Sequence, residues 1–192
     1  MSALLELKNV TMQFGGLVAV NDVTFNVGTN DLIAVIGPNG AGKTTLFNTI
    51  TGIYTPTKGS VVFAGEPVNE YGPSKITFLG VARTFQNIRL FKDLTVIDNI
   101  KIAFHARSSY SLIESIFRIG RFKKEEERIQ NESMELLKIF KLENKAQHLA
   151  KNLPYGEQRK LEMARALATR PKLLLLDEPA AGMNPKETKD LT

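Results

Sequence analysis

The sequence contains no cysteine, which removes disulfide staples and thiolate metal sites and suits a reducing, cytosolic setting. Its uninterrupted aliphatic runs, such as Leu32 to Ile36 and Leu173 to Leu176, fall far short of the roughly 20 apolar residues that a membrane-spanning helix needs. The N-terminus lacks the charged-then-apolar order of a secretion signal. Any membrane role therefore has to come through a partner. The two histidines, His105 and His148, stand alone and read as surface or packing residues. Repeats and low-complexity segments are also absent. What is present suffices for one globular domain: 192 residues, 43% of them hydrophobic. The net charge is +5, but basic residues are mixed with acids, as in Lys123-Lys124-Glu125-Glu126-Glu127-Arg128. Such spacing reads as a solvated helix face, not a nucleic-acid footprint, and no nucleic-acid partner is expected.

The chain changes texture along its length. Leu5-Glu6-Leu7-Lys8 and Val23-Thr24-Phe25-Asn26-Val27 alternate as half-buried antiparallel strands do. Leu32 to Ile36 is a short continuous apolar run before a glycine-rich turn, the pattern of a buried strand. Thr44 to Thr51 reads as a helix ended by Gly52, and Ser60 to Phe63 as a further strand. From about Leu94 to Leu149 the pattern is helical, with Ile129, Leu136, Leu137 and Phe140 on one face. Leu112, Ile113, Ile116 and Phe117 likewise suggest a buried helix face. Leu161 to Ala168 is helix-forming, and Leu173 to Leu176 is a buried strand stopped by Asp177-Glu178-Pro179. The expected fold is α/β with a helical insertion.

Two motifs carry chemistry on their residues alone. Gly37-Pro38-Asn39-Gly40-Ala41-Gly42-Lys43-Thr44, with Thr45 beside it, matches a phosphate-binding loop between a strand and a helix. Glycines let successive backbone N–H groups turn toward phosphate oxygens at the positive end of the following helix. Lys43 is expected to reach the β- and γ-phosphates, and the Thr44 hydroxyl to hold Mg²⁺. The second motif is the Asp177-Glu178 pair at the end of its apolar strand, where ligands gather in open α/β sheets. Asp177 is expected to hold Mg²⁺ through water and Glu178 to polarise an attacking water as general base.

Three further segments single out a family. They are Arg83-Thr84-Phe85-Gln86-Asn87, Leu153-Pro154-Tyr155-Gly156-Glu157-Gln158-Arg159, and Asp177-Glu178-Pro179 running into Ala180-Ala181-Gly182-Met183-Asn184-Pro185. With the phosphate loop, they resemble the ATP-binding subunits of ABC transporters, a P-loop NTPase fold with an antiparallel β subdomain and an inserted helical subdomain. The resemblance implies ATP and Mg²⁺ as cofactors. It places Gln86 as the Q-loop glutamine, serving metal and catalysis, and Leu153 to Glu157 as the signature motif, with Gly156 and Glu157 facing nucleotide. It places Ala181 to Asn184 as the D-loop and Phe14 as the aromatic that stacks on adenine. Val81 to Phe91, Leu94-Thr95-Val96, the Pro-Tyr-Gly-Glu signature and the segment ending at Thr188 look like the LivG-type subunit of branched-chain amino-acid importers.

That resemblance implies a cytoplasmic-face ATPase bound peripherally through membrane permease subunits. It also implies a second, LivF-type ATPase subunit and, indirectly, a periplasmic or extracellular binding protein. A single ABC domain is expected, with an ATP-binding core in residues 1–87 and 157–192 and a helical subdomain in 88–156. The apolar residues after Gln86 (Ile88, Leu90, Phe91, Leu94, Val96, Ile97) are expected to help form a groove for a permease helix. Two departures from the family stand out. The chain reads as a shortened copy that stops at Thr192, without the switch histidine and the last core strand. Pro154, Tyr155 and Glu157 replace the usual signature serine, glycine and glutamine. The competing reading is a non-transport ABC ATPase that uses ATP as a switch.

Overall fold

The computed structural model describes residues 3–105, 121–179 and 181. The chain divides into two compact units, Met1–Val81 and Ala82–Thr192. The Leu112, Ile113, Ile116 and Phe117 face and the Gly182–Thr188 segment lie outside the described residues.

The first unit is built on an antiparallel sheet of order β2-β1-β3-β4, with β1 at Leu5–Phe14, β2 at Leu17–Val27, β3 at Lys58–Phe63 and β4 at Glu66–Pro67. The alternation read in the sequence is what the sheet buries: Leu5, Leu7 and Val10 of β1 meet Val61 and Phe63 of β3 in the core. The register of β1 against β2 shifts between Leu7 and Val10, where Asn9 and Asp22 both take positive φ (51° and 50°). Asn9 Nδ2 donates to Asp22 Oδ1 at 2.8 Å and ties the irregularity shut. Such bulges keep alternate side chains aimed at the core after an extra residue intrudes. Helix α1, Lys43–Ile50, follows the phosphate loop and buries Leu46, Thr49 and Ile50.

One expectation fails here. Leu32 to Ile36 is not a buried strand: no strand is assigned to it, and Leu32 and Ile36 are 101% and 92% exposed. Apolar composition alone does not make a strand, because its backbone N–H and C=O groups need a hydrogen-bonding neighbour. Among the described residues no strand pairs with it. Its side chains from Ile33 onward instead line an open cavity of about 540 Å³ shared with β2 and the phosphate-loop residues Ala41 to Lys43.

In the second unit, α3 (Val96–His105), α4 (Arg121–Ile139) and α5 (Tyr155–Ala168) pack together; α2 (Pro73–Leu79) precedes them in the chain. Ile100, Leu137, Leu142, Ala150, Leu161 and Ala164 are fully buried in one cluster. The helical face foreseen on α4 is real: Leu137 is buried there, and Leu136 and Phe140 pack against the cluster. Thr95 starts α3 as its cap, accepting from the Asp98 N–H at 3.2 Å and donating to Asp98 Oδ2 at 2.5 Å. Asn99, fully buried, pins the preceding loop by exchanging hydrogen bonds with the Phe91 backbone at 2.9 and 3.0 Å. Val96 and Ile97 belong to this core and cannot line a partner groove, whereas Phe91 and Leu94 stay exposed. A two-stranded sheet pairs β5 (Val81–Arg83) with β6 (Leu173–Leu175). Of the Leu173–Leu176 run only Leu175 is buried, and Leu176 is exposed.

Candidate functional site

Each unit supplies its own part of the expected site. In the first, the chain leaves the Leu32–Ile36 segment through an exposed loop and enters α1 with Gly42 as its N-cap, at φ 85°. A Cβ at Gly42 would lie 2.1 Å from the Ala19 carbonyl oxygen, so only glycine lets the loop lie against β2 there. Gly40 also has positive φ, 83°, but faces open space. The loop closes on itself through Ala41 N–H to the Pro38 carbonyl at 3.2 Å. Lys43 Nζ, partly buried, donates to the Gly37 and Pro38 carbonyls at 2.5 and 2.9 Å. The ammonium is thus held over the loop it belongs to, at the start of a helix whose first N–H groups are uncapped by any side chain. That arrangement fits a phosphate chain, which would draw the flexible lysine off its own carbonyls. Thr44 is exposed and Thr45 half-buried beside it. Phe14, 41% exposed, meets Tyr54 edge-on with ring centroids 5.1 Å apart.

In the second unit the β6 strand ends at a cluster of side chains from three segments. Thr84 N–H donates to the Leu175 carbonyl at 3.0 Å, and the Asp177 N–H approaches the Thr84 hydroxyl at 3.4 Å. This fixes the turn that carries both carboxylates. Asp177 is buried and receives Arg83 Nη2 on Oδ2 at 2.8 Å. Glu178 adopts the left-handed region, φ 48°, a conformation that costs a non-glycine residue roughly 1–2 kcal/mol. It aims the carboxylate at Gln86, whose amide Nε2 donates to Glu178 Oε2 at 3.3 Å. Asp177, Glu178 and Gln86 are therefore brought together as the motifs implied. Arg83 is a site member that the motifs did not reveal. The signal was an arginine three positions before the glutamine, indistinguishable in sequence from a surface charge.

The signature segment forms the head of α5. Leu153 and Gly156 are buried, Pro154 is the N-cap, and Tyr155 is exposed. Glu157 is held by Lys145, whose Nζ reaches both carboxylate oxygens at 2.6 and 2.7 Å. Further along, Arg165 lies over the Phe91 ring, 5.4 Å from its centre, and burial lowers its pKa. Among the described residues no cluster of three His, Cys, Asp or Glu side chains forms a metal cage. Within the second unit, the Asp177 and Glu178 carboxylates and the Gln86 amide oxygen are hard oxygen donors of the kind Mg²⁺ takes.

A glycine loop with its lysine at a helix start, and a strand-end Asp-Glu pair met by a glutamine, define a P-loop nucleotide-binding protein. The ABC transporter family matches residues 20–181, and the chain belongs to it. It is 45% identical, over 98% of its length, to the high-affinity branched-chain amino acid transport ATP-binding protein BraF of Pseudomonas aeruginosa, and spans 74% of that protein. Against LivG of Escherichia coli K12, which carries the same description, identity is 42% with the same coverage of both chains. Among solved structures, the ADP conformation of MJ1267, an ATP-binding cassette of an ABC transporter, superposes with TM-score 0.81 at 32% identity, matching 100% of this chain and 74% of that one. The dimeric cassette MJ0796 gives 0.81 at 26% identity, over 97% and 79% of the two chains. No described helix is long and apolar enough to cross a membrane.

Proposed function

We propose that this chain is the ATP-binding and ATP-hydrolysing subunit that powers an ABC importer of leucine, isoleucine and valine. The observation that carries the chemistry is the Gln86 contact to Glu178, next to a buried Asp177 at the end of β6. The names of relatives 42–45% identical over nearly the whole chain support the substrate class. In this reading Lys43 and the Gly37–Thr45 loop grip the phosphates, and Phe14 stacks on adenine. Thr44, Asp177 and Gln86 would hold Mg²⁺, which would supply neutralisation of phosphate charge. Glu178 takes the proton of the attacking water, and its contact to Gln86 holds the carboxylate in place.

Gly156 and Glu157 then face nucleotide bound on a second ATPase subunit, and Pro154 and Tyr155 favour a heterodimer over two copies of this chain. Nucleotide-driven closure shifts the population of permease conformations, since only differential binding to two states can move them. The chain works from the cytoplasmic face of the membrane, held by its permeases and fed indirectly by a binding protein outside.

The test is uptake of radiolabelled leucine in cells whose only ATPase of this type is this chain. Lys43→Ala is expected to abolish energised uptake at unchanged protein level. Uptake that persists in the variant, or that never depended on the chain, contradicts the reading.

A further inference from the structure

Arg159 and Glu162 lie three residues apart on one face of α5 and are only 2% and 3% exposed. They pair with each other, Nη1 to Oε2 at 3.1 Å. Their other hydrogen bonds all go to the same short loop. Arg159 Nη1 donates to the Phe85 carbonyl at 2.5 Å, and Nη2 donates to the Gln86 carbonyl. Glu162 Oε1 accepts the Arg89 N–H at 3.1 Å. One guanidinium therefore spans two consecutive carbonyls and its carboxylate partner holds the chain three residues on.

We infer that Arg159 and Glu162 are a buried latch, positioning residues that fix the Gln86 backbone to the helix headed by the signature. This rests on the role proposed above for Gln86. Helix packing alone has no need of such a pair: buried ion pairs are commonly replaced by apolar side chains without loss of stability. Apolar side chains, however, cannot satisfy two adjacent carbonyls and an N–H. Lysine's three donors radiate from one compact nitrogen and lack the planar fork whose two nitrogens here serve both carbonyls and Glu162 together. Arg159 Nε is buried without a hydrogen-bond partner among the described residues, so the side chain serves the loop at the expense of its own saturation. The Gln86 and Asn87 side chains themselves are exposed, so the latch takes hold of this stretch through its backbone. The guanidinium also lies 5.6 Å from the centre of the Tyr155 ring at the helix head. A shift of that head moves the fork, and with it the amide that contacts Glu178. The latch thus gives the signature helix a physical line to the catalytic carboxylate within one unit.

The test compares the full chain with Arg159→Met/Glu162→Leu, which removes both charges together at similar volume. Readouts are thermal melting, amide hydrogen exchange at Arg89, and ATP affinity with and without Mg²⁺. The double variant is expected to fold and melt cooperatively, somewhat below the parent because the Phe85 and Gln86 carbonyls lose their donors. Exchange at Arg89 should quicken about tenfold or more, as loss of a protecting hydrogen bond implies. The gain in ATP affinity on adding Mg²⁺ should fall as far as it does in Gln86→Ala, and Gln86→Ala should then add nothing further. Metal-free ATP affinity should stay parental. If Gln86→Ala alone leaves the Mg²⁺ gain intact, the role given to Gln86 is wrong, whatever the latch does. If Gln86→Ala lowers that gain and the double variant does not, or if Arg89 exchange stays slow, the latch is overturned. Should the double variant not fold, Arg159→Lys decides: a parental Mg²⁺ gain in that variant overturns the proposal.

Discussion

Arg83 and Asp177, 94 residues apart in sequence, form an ion pair at 2.8 Å with side chains only 5% and 8% exposed. The carboxylate proposed to anchor Mg²⁺ is thereby oriented by a neighbouring strand. Removing one member of a buried pair strands the other charge, at a cost of about 3–5 kcal/mol. Arg83→Met is expected to lower stability by that order in denaturant melts, with Mg²⁺ no longer improving ATP affinity. A variant with parental stability would mean that the pair is not formed in solution.

The two loop glycines separate strain from collision. Gly40 and Gly42 share nearly the same positive φ, 83° and 85°, but only at Gly42 would an added Cβ fall 2.1 Å from a carbonyl oxygen. Gly40→Ala is expected to cost only the left-handed strain of roughly 1–2 kcal/mol and to keep nucleotide binding. Gly42→Ala should cost clearly more and abolish ATP binding, because the loop has to leave β2. Equal melting temperatures for the two variants would contradict the loop geometry.

The two ATP sites of the assembled transporter are expected to be unequal. Pro154 offers neither hydroxyl nor N–H to a phosphate, and the exposed Tyr155 stands where the family places glycine. Each lost charge-assisted bond is worth roughly 1.5–3 kcal/mol. The nucleotide completed by this signature is therefore the weakly held one, and the one on this chain's own phosphate loop does most of the work. Glu178→Gln should reduce turnover of the assembled transporter far more than the matching change in the partner ATPase. Equal losses would argue for equivalent sites.

Much of this arrangement was legible in the residues, because alternation, glycine spacing and strand-end carboxylates are local signals. The β1, β2 and β3 strands, α1, the α4 face and the Asp177–Glu178 turn all follow from patterns contained within a dozen residues. What escaped depends on partners distant in the chain. Leu32–Ile36 has the composition of a buried strand, yet strand formation is decided by a neighbour that composition does not reveal. Val96 and Ile97 looked like groove residues because amphipathic stretches do not say which side they face. Nothing local to Arg83, Arg159 or Glu162 distinguishes them from ordinary surface charges. Their roles appear only when residues more than seventy positions away come within hydrogen-bonding distance.

The central claim is that Lys43 grips ATP while Glu178 drives its hydrolysis. It is tested most directly by measuring equilibrium ATP binding and steady-state turnover side by side, for parent, Lys43→Ala and Glu178→Gln, in the chain assembled with its permeases. Lys43→Ala is expected to lose binding itself. Glu178→Gln should bind ATP as the parent does and turn it over about 10²–10⁴-fold more slowly, the usual contribution of a positioned base. Hydrolysis by Glu178→Gln at the parental rate would contradict the account.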